Sequence, residues 1–207
     1  MNPNLAEENL QTIRTLMERS ALYRRALAPI MLAAGAVGLI GAAVTLLLRV
    51  EYPREFAGIW FALANVVLAA SLLLARRQAM KSQEPFWSPP TRRVVQALVP
   101  PLLSGLFISA VLGWLSSEAA LDFFMVVIWL LFYGCALHAA GAFMTGGIRC
   151  FGWLFIIGAI VLVLFMIATK ASCRPDVASL TMGFFFGVLH LACGTYLYFT
   201  EKKNPVA

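Results

Sequence analysis

The sequence predicts an all-α membrane protein: a polytopic bundle of six transmembrane helices with both termini in the cytoplasm, preceded by an amphipathic N-terminal helix. Six long apolar stretches dominate the chain, and none carries a charged side chain at its centre. Hydrophobic residues make up 61% of the sequence and charged residues 13%, whereas a soluble domain is about half apolar and about a quarter charged. The basic residues are also concentrated at alternate ends of successive stretches. These three observations together favour a helical membrane bundle.

Residues 1–25 are the predicted cytoplasmic segment before the first span. Asn4 suits the N-cap of a helix, and Glu7 follows in the capping-box position. Apolar side chains then recur at helical spacing: Leu10, Ile13 and Met17. We predict an amphipathic helix that lies on the membrane surface or folds back on the cytoplasmic loop. The alternative is a docking helix for a cytoplasmic protein partner.

Six spans make up the predicted transmembrane domain, residues 26–200, because about 20 apolar residues cross the hydrocarbon core as a helix. They are Ala26–Leu48, Phe56–Ala75, Val94–Leu115, Leu121–Phe143, Phe151–Ala168 and Ser179–Thr200. Residues 201–207 are the predicted cytoplasmic tail. The lipid bilayer is therefore the first partner that the sequence implies.

The lysines and arginines set the predicted orientation, since cytoplasmic loops carry an excess of them. Twelve of the sixteen fall on the side of the termini: Arg14, Arg19, Arg24, Arg25, Arg76, Arg77, Lys81, Arg92, Arg93, Arg149, Lys202 and Lys203. The opposite side has four: Arg49, Arg54, Lys170 and Arg174. The net charge of +6 is then mostly a topology signal, with some attraction to anionic headgroups. No soluble basic surface suited to nucleic acid is predicted.

The segment 76–93, between spans two and three, is the second candidate for contact with a cytoplasmic partner. Basic pairs bracket it, and Phe86 and Trp87 are expected at the headgroup level. Its prolines are predicted to keep the middle out of a regular helix: Pro85, Pro89 and Pro90.

Small residues in the first span allow another helix to approach closely. Ala34 and Gly38, and then Gly38 and Ala42, form small-xxx-small pairs. They indicate either ordinary packing within the bundle or a homo-oligomer. In the third span, Pro100 and Pro101 remove two backbone donors and predict a structural kink.

Few polar side chains fall inside the spans. His138, His190, Asn65 and Gln96 are the candidates for a polar interior site. Polar residues in bundles commonly hydrogen-bond a neighbouring helix, which favours a structural role. The alternative is a transporter or channel for a neutral or weakly polar solute, with Pro100 and Pro101 as a hinge.

Metal or haem binding is a further, minor alternative. Cys135 and His138 share one helix face, and so do His190 and Cys193 on the last span. Spans four and six run in the same direction, so a site with two cysteines and two histidines, or a bis-histidine haem, is geometrically conceivable. The prediction from the sequence is nevertheless that no cofactor is bound.

His190 is the position of greatest interest, because it falls near the middle of the sixth span. A polar ring at that depth needs a hydrogen-bond partner. Gly187 and Gly194 flank it and allow close approach of a helix. We predict that His190 faces the bundle interior, with span four as its partner through His138 or the Cys135 region.

The catalytic residues that known classes of membrane enzyme require are missing from these spans. Span four has no serine for an intramembrane protease, and no Cys-x-x-Cys pair is present for thiol oxidation. Ion-coupled transport usually needs charged groups inside the membrane, whereas Glu118, Asp122 and Asp176 fall at its outer boundary. The sequence therefore predicts a non-enzymatic protein with a structural, signalling or accessory role.

Three short motifs carry a family resemblance: Ile13-Arg14-Thr15-Leu16-Met17-Glu18-Arg19-Ser20, Phe132-Tyr133-Gly134 and Gly187-Val188-Leu189-His190-Leu191-Ala192-Cys193-Gly194. In these the chain resembles a family of small six-span integral membrane proteins of bacteria that is itself uncharacterised. The resemblance implies a multi-pass protein of the bacterial inner membrane. It implies no activity.

Overall fold

A computed structural model describes residues 26–50, 52–83, 85–115, 121–144, 146–169 and 175–203 of the chain. Within these ranges the chain is helical apart from short turns, and no strand occurs. The predicted amphipathic helix in residues 1–25 lies outside the described residues, as does most of the predicted tail.

The helices follow the order of the predicted spans. Their bounds are α1 Ala26–Leu47, α2 Pro53–Lys81, α3 Pro89–Leu115, α4 Leu121–Ala140, α5 Gly146–Thr169, α6 Pro175–Met182, a π-helical segment Gly183–Val188, and α7 Leu189–Lys203. The last three elements form one continuous rod, called span six below. Five helices are long and apolar enough to cross a membrane: α1, α2, α3, α5 and span six. The apolar part of α4 is shorter, Phe124–Ala140.

The connection between α2 and α3 is shorter than predicted. Helix α2 continues to Lys81, and α3 begins at Pro89, so only the turn 82–88 remains of the predicted segment 76–93. The described residues between Lys81 and Pro89 are not helical, as predicted for the middle of the segment, although Pro89 and Pro90 themselves belong to α3. Both lie in the first turn of α3. Backbone N–H groups in a first turn have no acceptor within the helix, so proline is tolerated there without one.

Helix α4 is the centre of the bundle, because α2, α3, α5 and α6 all pack against it. It crosses α5 at a pair of glycines. A Cβ atom added to Gly152 would lie 2.8 Å from the carbonyl oxygen of Gly134 and 2.8 Å from the backbone nitrogen of His138. The two backbones are therefore in direct contact, and only glycine fits at this crossing.

Helix α1 packs equally closely against span six. A Cβ atom on Gly38 would overlap the carbonyl group of Phe186 and lie 2.8 Å from the backbone nitrogen of Gly187. One on Gly183 would lie 2.6 Å from the Cβ of Ala42. Of the two predicted roles for the small residues of span one, the structure therefore supports packing within the bundle. That face is occupied by span six.

Helix α1 ends in a Schellman motif that is closed by an arginine. The N–H of Val50 donates to the carbonyl of Thr45 at 3.1 Å, and the N–H of Arg49 donates to that of Leu46 at 3.2 Å. Arg49 has φ of 49°, in the left-handed region that favours glycine. Val50 is buried beyond the turn. The motif thus fixes the exit from α1 at a strained residue.

We expect Arg49→Gly to raise the free energy of unfolding by about 0.5–1 kcal/mol, because glycine enters this conformation without the strain of a Cβ atom. Arg49→Val should lower it, because β-branched residues are especially unfavourable there. Both changes remove the same charge, so their difference isolates the backbone effect. Thermal unfolding in detergent measures it. Equal stabilities of the two variants would contradict the assignment.

Helix α3 continues through both of its internal prolines. Without N–H groups at Pro100 and Pro101, the carbonyls of Gln96 and Ala97 have no helical donor. Ser104 donates its hydroxyl to the carbonyl of Pro100 at 2.9 Å. The predicted disturbance therefore affects the hydrogen bonds of the helix and does not end it.

Candidate functional site: a buried histidine and tyrosine

The backbone around His190 departs from α-helical geometry. In the π-helical segment the hydrogen bonds reach one residue further back, and the N–H of Leu189 donates to the carbonyl of Phe184. The next carbonyl, that of Phe185, lies 3.0 Å from Nδ1 of the His190 ring. A carbonyl only accepts, so Nδ1 carries the proton of this hydrogen bond.

The other ring nitrogen of His190 bonds to a tyrosine of α4. The hydroxyl of Tyr133 lies 2.7 Å from Nε2. His190 is only 1% exposed, and an imidazolium without a counter-charge is unfavourable at such a place. The ring is then the neutral Nδ1–H tautomer, and the Tyr133 hydroxyl donates to Nε2. Both ring nitrogens are satisfied, one by span six and one by α4.

Aromatic rings enclose this histidine. Phe186 stacks on it, with ring centroids 5.9 Å apart and an interplanar angle of 14°. Phe151 and Phe155 of α5 meet it edge-on, at centroid distances of 5.1 and 5.5 Å. Tyr133 in turn contacts Phe155 at 5.0 Å. The hydrogen-bonded pair therefore lies in an apolar enclosure that three helical rods build.

The prediction that His190 faces the bundle interior agrees with this burial. The predicted partner helix, span four, is also correct, but the partner residue is Tyr133, not His138 or Cys135. Depth along the helices could have identified it. Tyr133 and His190 each lie about ten residues from the predicted cytoplasmic end of their spans, and the rise per residue is the same in both.

The glycines beside His190 serve a different neighbour from the one predicted. A Cβ atom on Gly187 would lie 2.6 Å from a methyl group of Leu39, and one on Gly194 would lie 2.8 Å from the backbone of Leu32. Both contacts are with α1. The glycine face of span six therefore receives α1, while the adjacent face presents His190 to α4 and α5.

The second histidine is in a separate environment. His138 packs its ring edge-on against Trp153, with centroids 5.4 Å apart. Its Nδ1 is buried and has no hydrogen-bond partner among the described residues. Cys135 is exposed and Cys193 is half-buried. No group of three or more potential metal ligands occurs in the described ranges.

The other two candidates for a polar interior site lie on the outside. Asn65 of α2 and Gln96 of α3 are both exposed, so their predicted interior position is wrong. The physical reason is helical phase. Asn65 is rotated about 180° from the buried Phe56, and Gln96 is rotated about 180° from the buried Gly105. The four polar residues therefore do not line a common path.

A shallow groove lies on the surface between α4 and α5. It has a volume of about 180 Å³. Its lining is entirely aliphatic: Val127, Leu131, Ala159, Ile160, Val163 and Leu164. Such a surface suits a lipid chain or a neighbouring apolar side chain and offers no reactive group.

The fold and the site together define a multi-pass helical membrane protein whose central polar pair is enclosed by aromatic rings. Comparison of the chain with protein-family models, with curated proteins and with solved structures gave no match. The resemblance carried by the motifs at 13–20, 132–134 and 187–194 stays a prediction.

Proposed function

We propose that this chain is a six-span protein of the bacterial inner membrane, with both termini in the cytoplasm, and that its role is non-enzymatic: accessory or structural, exercised through contacts with other proteins. The observation that carries the proposal is the saturated pair of Tyr133 and His190. Both ring nitrogens of His190 are hydrogen-bonded, and aromatic side chains surround the pair. A bundle of this kind uses its polar centre to fix helix packing and leaves its surface for function.

Two features support the proposed topology. Helix α4 has 20 residues, which at 1.5 Å per residue gives about 30 Å, the thickness of the hydrocarbon core. It would thus supply the sixth span. The ends of α2 and α3 near the turn 82–88 carry five exposed basic side chains: Arg76, Arg77, Lys81, Arg92 and Arg93. This concentration favours the cytoplasmic side for that end.

Reporter fusions test the topology. We expect a cytoplasm-active reporter to function when it is fused after Ala207 or inserted in the turn 82–88. A periplasm-active reporter should function when it is inserted after Tyr52, between α1 and α2. Periplasmic activity from the fusion at Ala207 would overturn the orientation. Reporters inserted before and after α4 that both report the same side of the membrane would overturn the sixth span.

The two cytoplasmic segments named from the sequence, 1–25 and 76–93, are the proposed contact sites for a protein partner. In the second, Trp87 is 56% exposed and Phe86 packs beside it at a ring-centroid distance of 6.4 Å. An exposed tryptophan bordered by arginines suits a partner or the headgroup region.

Purification from native membranes tests the accessory role against the transport alternative. We expect one cytoplasmic protein in stoichiometric amount, lost on deletion of residues 1–22 or on Trp87→Ala, with the bundle itself still folded. Reconstituted protein should show no selective solute flux. Flux that disappears in His190→Ala would overturn the proposal in favour of a transporter, and a Soret band or stoichiometric zinc would favour the cofactor alternative.

A further inference from the structure

Helix α2 is the least covered of the helices that can cross a membrane. In its most apolar stretch 11% of the residues are buried, against 44% in span six. Its large buried side chains, Phe56 and Trp60, lie towards the bundle, where they contact Trp129 and Phe186. The residues of the opposite face are exposed.

The residues of that opposite face follow a regular pattern. They are spaced by four and three residues in alternation, and every one is exposed: Gly58, Ala62, Asn65, Ala69 and Leu72. This set is called the α2 seam below. Alternating steps of four and three keep residues on one stripe of a helix, as in a coiled coil. The stripe is rotated about 160° from Phe56 and from Trp60, so it points directly away from the bundle.

The seam is shaped for close helix contact. A Cβ atom added to Gly58 would meet no atom within 4 Å, so nothing in the described chain requires a glycine there. This differs from Gly38, whose space is filled by span six. Small residues at such a stripe let two backbones approach, which is the main source of helix association in lipid.

Asn65 is the polar residue of the α2 seam, and its amide is only partly hydrogen-bonded. It lies near the middle of α2, at the depth of the hydrocarbon core if α2 spans the membrane. Its Nδ2 donates to the carbonyl of Phe61 at 2.8 Å. Among the described residues no group bonds its amide oxygen or its second N–H. An amide left half-satisfied in lipid is unfavourable, so this face is built to be covered by a polar partner.

We propose that the α2 seam is a homodimer interface, in which two copies pack α2 against α2 and each Asn65 amide bonds Asn65 of the partner subunit. An amide is both donor and acceptor, so it is complementary to its own copy across a two-fold axis. Two copies inserted the same way place α2 parallel and both Asn65 side chains at one depth. A single asparagine at such a seam also fixes the register of the two helices.

The inference rests on the part of the proposed function that places α2 across the membrane, and not on the orientation or the accessory role. A failure of the dimer can be told from a failure of the topology. The reporter fusions do not depend on dimerisation, and cysteine cross-linking does not depend on which side is cytoplasmic.

Cysteine cross-linking in native membranes tests the interface. In a chain whose four natural cysteines are replaced by alanine, single cysteines are placed at Gly58, Ala62, Ala69 and, as flanking controls, Val66 and Leu68. All five positions are exposed, but the two controls are rotated by about 80° from the seam. A disulfide requires Cα atoms within about 7 Å.

We expect covalent dimers at the three seam positions and little at the two controls. Absence of cross-links at every position, or yields that do not follow the spacing of four and three, would overturn the proposal. A covalent adduct with a different membrane protein in place of a second copy would also overturn it.

Substitution of the amide tests the role of Asn65. We expect Asn65→Leu to raise the dissociation constant of the dimer in micelles about tenfold, as for the loss of strong interhelical hydrogen bonds in a membrane protein. Gln96→Leu is the matched control, because it removes another exposed amide away from the seam, and it should change nothing. Thermal unfolding of the monomer should be the same in both. Equal dissociation constants for the natural chain and Asn65→Leu would overturn the assignment.

Discussion

Replacement of Gly38 by alanine is expected to lower the free energy of unfolding by about 3 kcal/mol, at the upper end of the effect of overpacking. The added Cβ atom would overlap the backbone carbonyl of Phe186. A backbone in the middle of a packed rod cannot turn away as the end of a side chain can. Helix α1 and span six must therefore separate along their contact.

The separation would also affect the aromatic enclosure, because Phe186 stacks on His190 and contacts Tyr133 at a centroid distance of 5.1 Å. Thermal unfolding in detergent and near-ultraviolet circular dichroism measure the two effects. Gly147→Ala in α5 is the matched control, since a Cβ atom there meets nothing within 4 Å. It should be neutral or stabilise by up to about 1 kcal/mol, as alanine does relative to glycine in a helix. Equal losses for the two variants would contradict the described packing of α1.

Tyr133→Phe is the second change for which we expect a large effect, a loss of about 1–3 kcal/mol. It removes the donor to Nε2 of His190 and leaves that buried nitrogen unsatisfied, which is more unfavourable than the loss of a hydrogen bond alone. Tyr196→Phe is the control. Tyr196 is exposed on α7, and loss of its hydroxyl should change stability by less than about 0.5 kcal/mol.

A double-mutant cycle isolates the interaction from the loss of each group. His190→Leu alone leaves the Tyr133 hydroxyl without its acceptor, so it should also destabilise. The combination Tyr133→Phe with His190→Leu should destabilise by at least about 1 kcal/mol less than the sum of the single changes, because the second change then removes a group that is already unpaired. Additive effects would mean that the two side chains do not interact.

Much of the fold can be predicted from the sequence because the hydrophobicity of a stretch is a local property. The six helices lie where the apolar stretches are, and the prediction that His190 is interior agrees with its burial. The ends were less accurate. Helix α2 runs on to Lys81 because arginines and lysine at a helix end can extend their charged groups to water while the backbone stays helical.

The candidate site was predicted only in part. The sequence identified His190 and its partner helix, and equal depth in the two spans would have indicated Tyr133. Hydrophobic periodicity does not identify the π-helical segment, because Gly183–Val188 is apolar throughout. Asn65 and Gln96 were misplaced for a different reason. A polar residue in a span has a depth that the sequence shows, but its direction depends on which face the neighbours cover.

The sequence by itself determined that this chain forms apolar helices of membrane-spanning length and where each lies along the chain. The tertiary structure alone decided which glycines are covered, which polar groups meet, and which face is left open. Gly38 and Gly58 show the difference: both are glycines in apolar helices, but the first faces the backbone of Phe186 and the second faces no described residue. Helix formation in lipid depends on the chain's own composition, because each helix satisfies its own backbone. Packing depends on contacts between helices that are distant in sequence, and composition does not encode them residue by residue.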